Sequence, residues 1–399
     1  LAKQPEALNI INPAIPGIIN DIVLKLMEKN AENRYQSTRG LLDDLQNCVH
    51  QWQNNHHIVP FPLGRFDIAR QFVIPEKLYG RSVEVNQLMS AFENTHQGKP
   101  MLVLVCGHSG VGKTSLINEI HKPIVKSRGY FSQGKFDQYA HNQPYSALIQ
   151  ALRQLVRQIL EENELQLNDW NQQITLSLGE QAQVMVDLIP ELEQLIGQQV
   201  EATELNGIAS INRLQYLFQA FLKVFTDKQP LVLFIDDLQW IDSSSLHLLP
   251  LLLQNDSALL LIGAYRDNEV GNTHPLRITL QEIEQSKLLI DQIQLKAIDK
   301  TYVNQMINDA CQYETEQTSQ LSEIIIDKTQ GNPFYIHRFL DLLNEESLIN
   351  YDFYRSQWTF NLKQIKQLAT SNDVVTFLKN RLNKLSPDSQ YLLQLAACI

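Results

Sequence analysis

The chain has 399 residues, 44% of them hydrophobic, enough for two or three domains with real cores. Its net charge of −11 argues against a general nucleic-acid binder, which presents a basic face. The four cysteines, Cys48, Cys106, Cys311 and Cys398, are scattered without a CxxC pair, so neither a zinc site nor a disulfide framework is indicated, and the usage is that of a reducing cytosol.

No run reaches the roughly 18 to 20 apolar residues that cross a bilayer. No secretory leader is legible, and a cytoplasmic location is expected. The chain begins at Leu1 rather than Met and stops inside the apolar periodic segment LQLAACI. Both ends are therefore expected to be cuts in a longer protein.

Residues 18–52 carry apolar positions at helical spacing, Ile18, Ile19, Ile22, Val23 and Leu26, then Leu41, Leu42 and Leu45. ENRYQS separates the two helices, and Ser37 or Thr38 can cap the second. Such a hairpin alone is too small to be stable. Its segment KNAENRYQS, followed by an apolar helix with Asp44 and Leu45, resembles the last helices of the large lobe of a serine/threonine protein kinase. The resemblance covers residues 1–52. It implies a kinase domain upstream and an ion pair between Arg34 and a distant glutamate. The catalytic signatures HRDxxxxN and DFG are absent from this sequence. Residues 53–77, with their prolines and aromatics, read as a linker that docks on the neighbouring domain. His56 and His57 have no further ligand at metal-site spacing.

MLVLVC, residues 101–106, is an apolar run of strand length, and GHSGVGKTS comes directly after it. Residues 107–114 fit GxxxxGK[ST] at every fixed position, and SLINEIHKPIV continues as a helix. Gly107, Gly110 and Gly112 let successive backbone N–H groups, with those of Ser109, Val111 and Ser115, converge on phosphate without Cβ clashes. The helix adds its N-terminal partial charge. Lys113 reaches the β- and γ-phosphates, and Thr114 offers a hydroxyl to Mg²⁺. LVLFIDDLQWID, residues 231–242, runs five apolar residues into two acids, as a fully buried parallel strand does. Asp236 is expected to hold Mg²⁺ through water, and Asp237 to orient or deprotonate the attacking water. ALLLIGAYRD ends in Arg266, placed to sense a γ-phosphate and stabilise developing charge.

Strands are also expected over 129–137 and near 286–295. Helices are expected in YSALIQALRQLVRQILEEN and SINRLQYLFQAFLKVF. Residues 161–205, rich in Gln, Asn and Glu, are expected to form helices with long loops. This alternation predicts an α/β fold, a P-loop NTPase with a mostly parallel sheet flanked by helices. A C-terminal helical subdomain is expected over 297–385. There Tyr351, Phe353, Tyr354, Trp358 and Phe360 predict an exposed β-hairpin packing on the helical subdomain rather than a base-stacking platform.

With these elements in place, residues 78–350 resemble the AAA-type ATPase modules of signal-transducing regulators, the STAND class, whose cores look like origin-recognition ATPases. The resemblance rests on LYGRSVEVNQL, DDLQW and GNPFYIHRFL. It implies that Gly80 and Arg81 lie near adenine and ribose, that Pro333 packs near the adenine, and that the ATPase core spans 78–296. SPDSQYLLQLAACI, 386–399, resembles the start of a winged-helix or helical-repeat domain. The order of parts resembles large bacterial multi-domain sensor kinases, many of which continue into GAF and histidine-kinase or cyclase modules.

The sequence thus reads as an ATPase: a slowly hydrolysing regulatory switch that uses ATP or ADP with Mg²⁺ and the other domains of its own chain as partners. The family also implies nucleotide-dependent homo-oligomers. The alternatives are a nucleotide-binding scaffold without hydrolysis, and a DNA-associated AAA protein, against which the acidic balance speaks.

Overall fold

Runs of nearly unbroken apolar residues form the centre of the molecule. MLVLVC becomes β1 (Met101–Cys106), YFSQGK β2 (Tyr130–Lys135), LVLFID β3 (Leu231–Asp236), LLLIGAY β4 (Leu259–Tyr265) and LIDQIQ β5 (Leu289–Gln294). The computed structural model describes residues 7–28, 33–64, 72–95, 98–126, 129–139, 143–203, 205–254, 257–286, 288–352, 357–371, 382 and 385–397. Cys398, Phe353, Tyr354 and the KNAE half of the kinase-like motif lie outside the described residues.

The five strands are parallel in the order β2-β3-β4-β1-β5. β3 and β4 are buried along their whole length, and β1 at every residue but its first. Strands covered on both faces need no polar alternation, which is why they are so plain in the sequence. The edge strand β5 is largely open to solvent, and only Ile293 is buried. Because every pairing is parallel, the segments leaving β1, β3 and β4 emerge on one edge. In such sheets that edge is where ligands sit.

Helix Ser146–Leu160 covers β2 and β3 and buries Ala147, Leu148, Ala151, Leu152, Leu155, Val156 and Ile159, an i, i+3, i+4 stripe. Helix Ile208–Thr226 adds Phe218, Phe221 and Phe225, and Trp170 packs against Phe225 at 4.8 Å between ring centroids. Residues 161–196 form the helices expected there, with short connections. Helices Glu164–Leu178 and Ala182–Leu188 are joined by one 3₁₀ turn, Gly179–Gln181. Trp170, Ile174 and Leu178 give the first helix a buried face that its polar composition conceals.

The chain forms two compact units, Gly80–Ala297, which holds the sheet, and Leu1–Tyr79 with Ile298–Ile399. In the second unit, helices Lys300–Cys311, Glu316–Thr329 and Pro333–Glu345 enclose Val303, Ile307, Leu321, Ile325, Ile336 and Leu340. Phe72 and Tyr79, from the stretch around the expected linker, join this core. The antiparallel hairpin β6 (Ile349–Asp352) and β7 (Gln357–Phe360) packs on this helical core as expected but is more buried than expected. Trp358 is 4% exposed and meets Tyr351 edge-on at 5.4 Å and Phe72 at 5.6 Å. Trp358 and Phe360 thus lie inside the fold, with Tyr351 packed against them.

The first helices form a smaller cluster, Ile18, Ile22, Cys48 and Ile58. The Ser37 side chain caps helix Thr38–Asn55 by accepting from Gly40 N. Asp44, 5% exposed, accepts from Tyr35 Oη at 2.6 Å and Gly64 N at 2.7 Å. Arg34 Nε donates to the Glu28 carbonyl at 2.6 Å.

Candidate functional site

The loop after β1 has Gly107, Gly110 and Gly112 at φ of 152°, 78° and 98°. Side chains are strained there. At Gly107 space is closed as well: a Cβ would lie 2.6 Å from the Leu295 carbonyl oxygen. The loop opens directly into helix Lys113–Lys126. Lys113 Nζ donates to the carbonyls of Gly107 at 2.7 Å and His108 at 3.1 Å, so the ammonium bends back over the loop it serves. Val111 is buried, while Ser109, Thr114 and Ser115 are exposed.

β3 delivers two acids. Asp236 is 8% exposed and Asp237 5%. Thr114 Oγ1 donates to Asp236 Oδ2 at 3.2 Å, across 122 residues of sequence. Asp236 Oδ1 accepts the backbone N–H of Asp237 at 2.9 Å. Asp237 itself has φ 55°, a left-handed conformation that aspartate tolerates better than most residues. Two neighbours with no motif to mark them hold its carboxylate. Lys135, at the end of β2, lies 3.0 Å from Oδ2, and Gln239 Nε2 donates to Oδ1 at 2.8 Å. Lys135 pairs in register with Asp236. That neighbourhood comes from strand order, and a lysine ending an expected strand is its only trace in the sequence.

Arg266 leaves β4 with Nε 3.8 Å from Asp237 Oδ1 and Nη1 2.8 Å from Glu269. Its backbone N–H donates to Gln239 Oε1 at 3.1 Å, and its guanidinium lies 5.1 Å from the Trp240 ring centre. Gln239 therefore bridges the acid and the arginine. Lys113, Thr114, Asp236, Asp237 and Arg266 meet at one edge of the sheet.

Arg81, expected near adenine and ribose, is bonded to the protein's own backbone. Its guanidinium donates to the carbonyls of Val111 at 3.3 Å and Lys296 at 2.5 Å, and pairs with Glu84 at 3.3 Å. Gly80, at φ 66°, precedes it. Pro333 is the first residue of helix Pro333–Glu345 and belongs to the other unit.

The electrostatics fit a site that awaits charge. Burial pushes the Asp236 carboxyl up, and the negative charge of Asp237 adds to it; the N–H of Asp237, Lys135 and Thr114 oppose. Burial lowers Lys113, against the pull of Asp236. The hydrogen bond to Asp237 raises Lys135. Among the described residues, no group of three His, Cys, Asp or Glu could hold a metal alone. A cation here would depend on phosphate oxygens and on the Thr114–Asp236 pair. A hydroxyl and a carboxylate side by side are hard oxygen donors of the kind Mg²⁺ takes, directly or through water, so the residues present fit Mg²⁺.

Along its whole length the chain is 30% identical to "Hybrid signal transduction histidine kinase G" of Dictyostelium discoideum and spans 14% of that protein. Over 97% of its length it is 22% identical to "Peroxide stress-activated histidine kinase mak3" of Schizosaccharomyces pombe, spanning 20% of it. Both are named as histidine kinases and neither organism is a bacterium, so these names do not support the expected parent, a bacterial serine/threonine kinase. A Walker-type ATPase of Pyrococcus abyssi superimposes with a TM-score of 0.42 at 14% identity, over 81% of this chain and 80% of that one. No helix among the described residues is long and apolar enough to cross a membrane. Residues 77–262, which contain the glycine loop and both acids, match the family model of the AAA ATPase domain.

Proposed function

We propose that unit Gly80–Ala297 binds ATP with Mg²⁺ at residues 107–115 and hydrolyses it slowly, as the regulatory switch of a multi-domain signalling kinase. The observation that carries this reading is the 3.2 Å hydrogen bond between Thr114 and Asp236. It joins the two hard oxygen donors that the chemistry needs from chain segments 122 residues apart.

The loop's N–H groups and the helix N-terminus take the phosphates. Lys113 leaves the carbonyls of Gly107 and His108 and turns to the β- and γ-phosphates. Thr114, and Asp236 through water, would hold Mg²⁺, which would supply charge neutralisation on the phosphate oxygens. Asp237 orients the attacking water through the carboxylate oxygen that Lys135 now covers. Arg266 stabilises charge that develops on the transferred group.

A switch needs differential affinity. Moving a two-state equilibrium from 1:99 to 99:1 takes about 5.5 kcal/mol, a sum within reach of a γ-phosphate's charge-assisted bonds to Lys113 and Arg266. The signalling context comes from the names of the relatives and from the kinase-like residues 18–52, and belongs to this proposal.

The full chain tests it. Wild-type protein should retain labelled ATP on a filter and Lys113→Ala should not. Equal retention sinks the reading. One observation favours a scaffold that binds without hydrolysis: Lys135 and Gln239 already occupy both oxygens of Asp237. Phosphate release above background that vanishes in Asp237→Asn excludes the scaffold.

A further inference from the structure

We propose that Arg81 is a positioning residue that ties the phosphate loop to both points where the chain passes between its two units, so that filling the loop is felt at residues 79–82 and 295–298. The consequence for nucleotide rests on the ATP-binding reading above. The tie itself rests on geometry alone.

The chain crosses between the units twice, at 79/80 and at 297/298. Arg81 is the second residue after the first crossing, and Lys296 the second-last before the other. The Arg81 side chain is 7% exposed. One of its nitrogens, Nη2, donates both to the Lys296 carbonyl at 2.5 Å and to the Val111 carbonyl at 3.3 Å. Nη1 is held 3.3 Å from Glu84, in the first turn of the helix Ser82–Thr95 that follows it. One guanidinium thus joins the entry segment, the exit segment and the middle of the glycine loop.

A second set of contacts runs beside it. Leu295 N donates to the Cys106 carbonyl at 2.8 Å, and the Leu295 carbonyl closes the space over Gly107. The exit segment therefore tracks the loop from its first residue to Val111, and Arg81 clamps the far end. A planar fork with several fixed donors can serve two carbonyls and a carboxylate together, whereas a lysine ammonium is a single point on a flexible stem. Phosphate that draws the loop's N–H groups inward also reorients its carbonyls, and the Val111 carbonyl is the one bonded to Arg81. The arginine acts on the nucleotide through the loop and the crossings, not by touching it.

Hydrogen exchange on the full chain, with and without ADP and Mg²⁺, tests this beside filter binding. In wild type, ADP should protect 107–112 and both crossings together. Arg81→Lys should weaken ADP binding by less than about 5-fold, the low end of site-to-site coupling. It should keep protection at 107–112 and lose it at 79–82 and 295–298. Loss of ADP binding as complete as in Lys113→Ala overturns the proposal, because Arg81 would then be a direct ligand. Unchanged protection at the crossings overturns it too. If Arg81→Lys fails to fold, Glu84→Ala replaces it. That variant releases Nη1 alone and should weaken protection at the crossings; an unaltered pattern counts against the tie. If wild type binds no ADP, the ATPase reading fails, while the nucleotide-free arm still decides the tie. There, the substituted protein must exchange faster at 107–112 and 295–298 together, and a rise in only one segment refutes the connection.

Discussion

Lys135 Nζ stands 3.0 Å from Asp237 Oδ2, at the end of the strand next to the one that delivers the acid. The other oxygen, Oδ1, is held by Gln239. The two neighbours differ in kind. Lys135 brings charge on a side chain that is 60% exposed and free to leave. Gln239 is neutral, 6% exposed and fixed at its other end to the Arg266 backbone.

On the proposed mechanism, Lys135 restrains hydrolysis by covering the oxygen that should face water. Lys135→Met keeps the stem and removes the charge. Phosphate release should rise about 3- to 10-fold, the equivalent of roughly 1 kcal/mol for an ion pair partly screened by solvent. ATP affinity should be unchanged, since Lys135 bonds to the acid and not to the loop. A fall in release shows that Lys135 assists the reaction instead.

Gly107→Ala should abolish ATP retention while the sheet persists. The new methyl would meet the Leu295 carbonyl, and φ 152° disfavours any Cβ. Strain of this kind costs about 1 to 3 kcal/mol, within the stability of a sheet whose core strands are fully buried. Circular dichroism near that of wild type, together with lost filter binding, is the expected pair of results. Retained binding shows that the loop can relax around the methyl.

How much of this was legible in the sequence depends on the kind of interaction. β1, β3 and β4 read as apolar runs because they are covered on both faces, and the glycine loop and twin acids come directly after two of them. Arg266 could be found as the residue that ends a strand. Lys135 and Gln239 could not be ranked, because their importance depends on β2 lying beside β3 and on a backbone turn at Asp237. Arg81 could be located by resemblance, but its bonds to the Val111 and Lys296 carbonyls join segments 30 and 215 residues away. Trp358 reads as a surface aromatic because period-2 alternation does not say which face is covered, and the fold covers it.

Asp236→Asn should stabilise the nucleotide-free protein near neutral pH and abolish Mg²⁺-dependent binding. Burial and the charge of Asp237 hold the Asp236 carboxyl above its ordinary value. A group raised in the folded state binds its proton more tightly there. Stability is then greatest below the unfolded value and is lost as pH rises through the folded one. The Tm advantage of the asparagine should therefore be full at pH 7 and shrink towards pH 4. An advantage that grows on acidification contradicts the assigned direction.

Gln239→Leu should change hydrolysis in the opposite sense from Lys135→Met, although both side chains bond to the same carboxylate. The leucine leaves Asp237 Oδ1 and the Arg266 N–H without the amide that served both, in a buried setting. An abandoned buried partner costs about 1 to 3 kcal/mol, so a lower Tm is expected. Phosphate release should fall, because the acid is no longer aimed and Arg266 is no longer anchored to it. The double variant separates the two roles. If Lys135 only covers Oδ2, its removal cannot help an acid that has lost its orientation, and the gain seen in the single Lys135→Met protein should disappear. Independent, multiplying effects would mean that the lysine and the amide act on different steps.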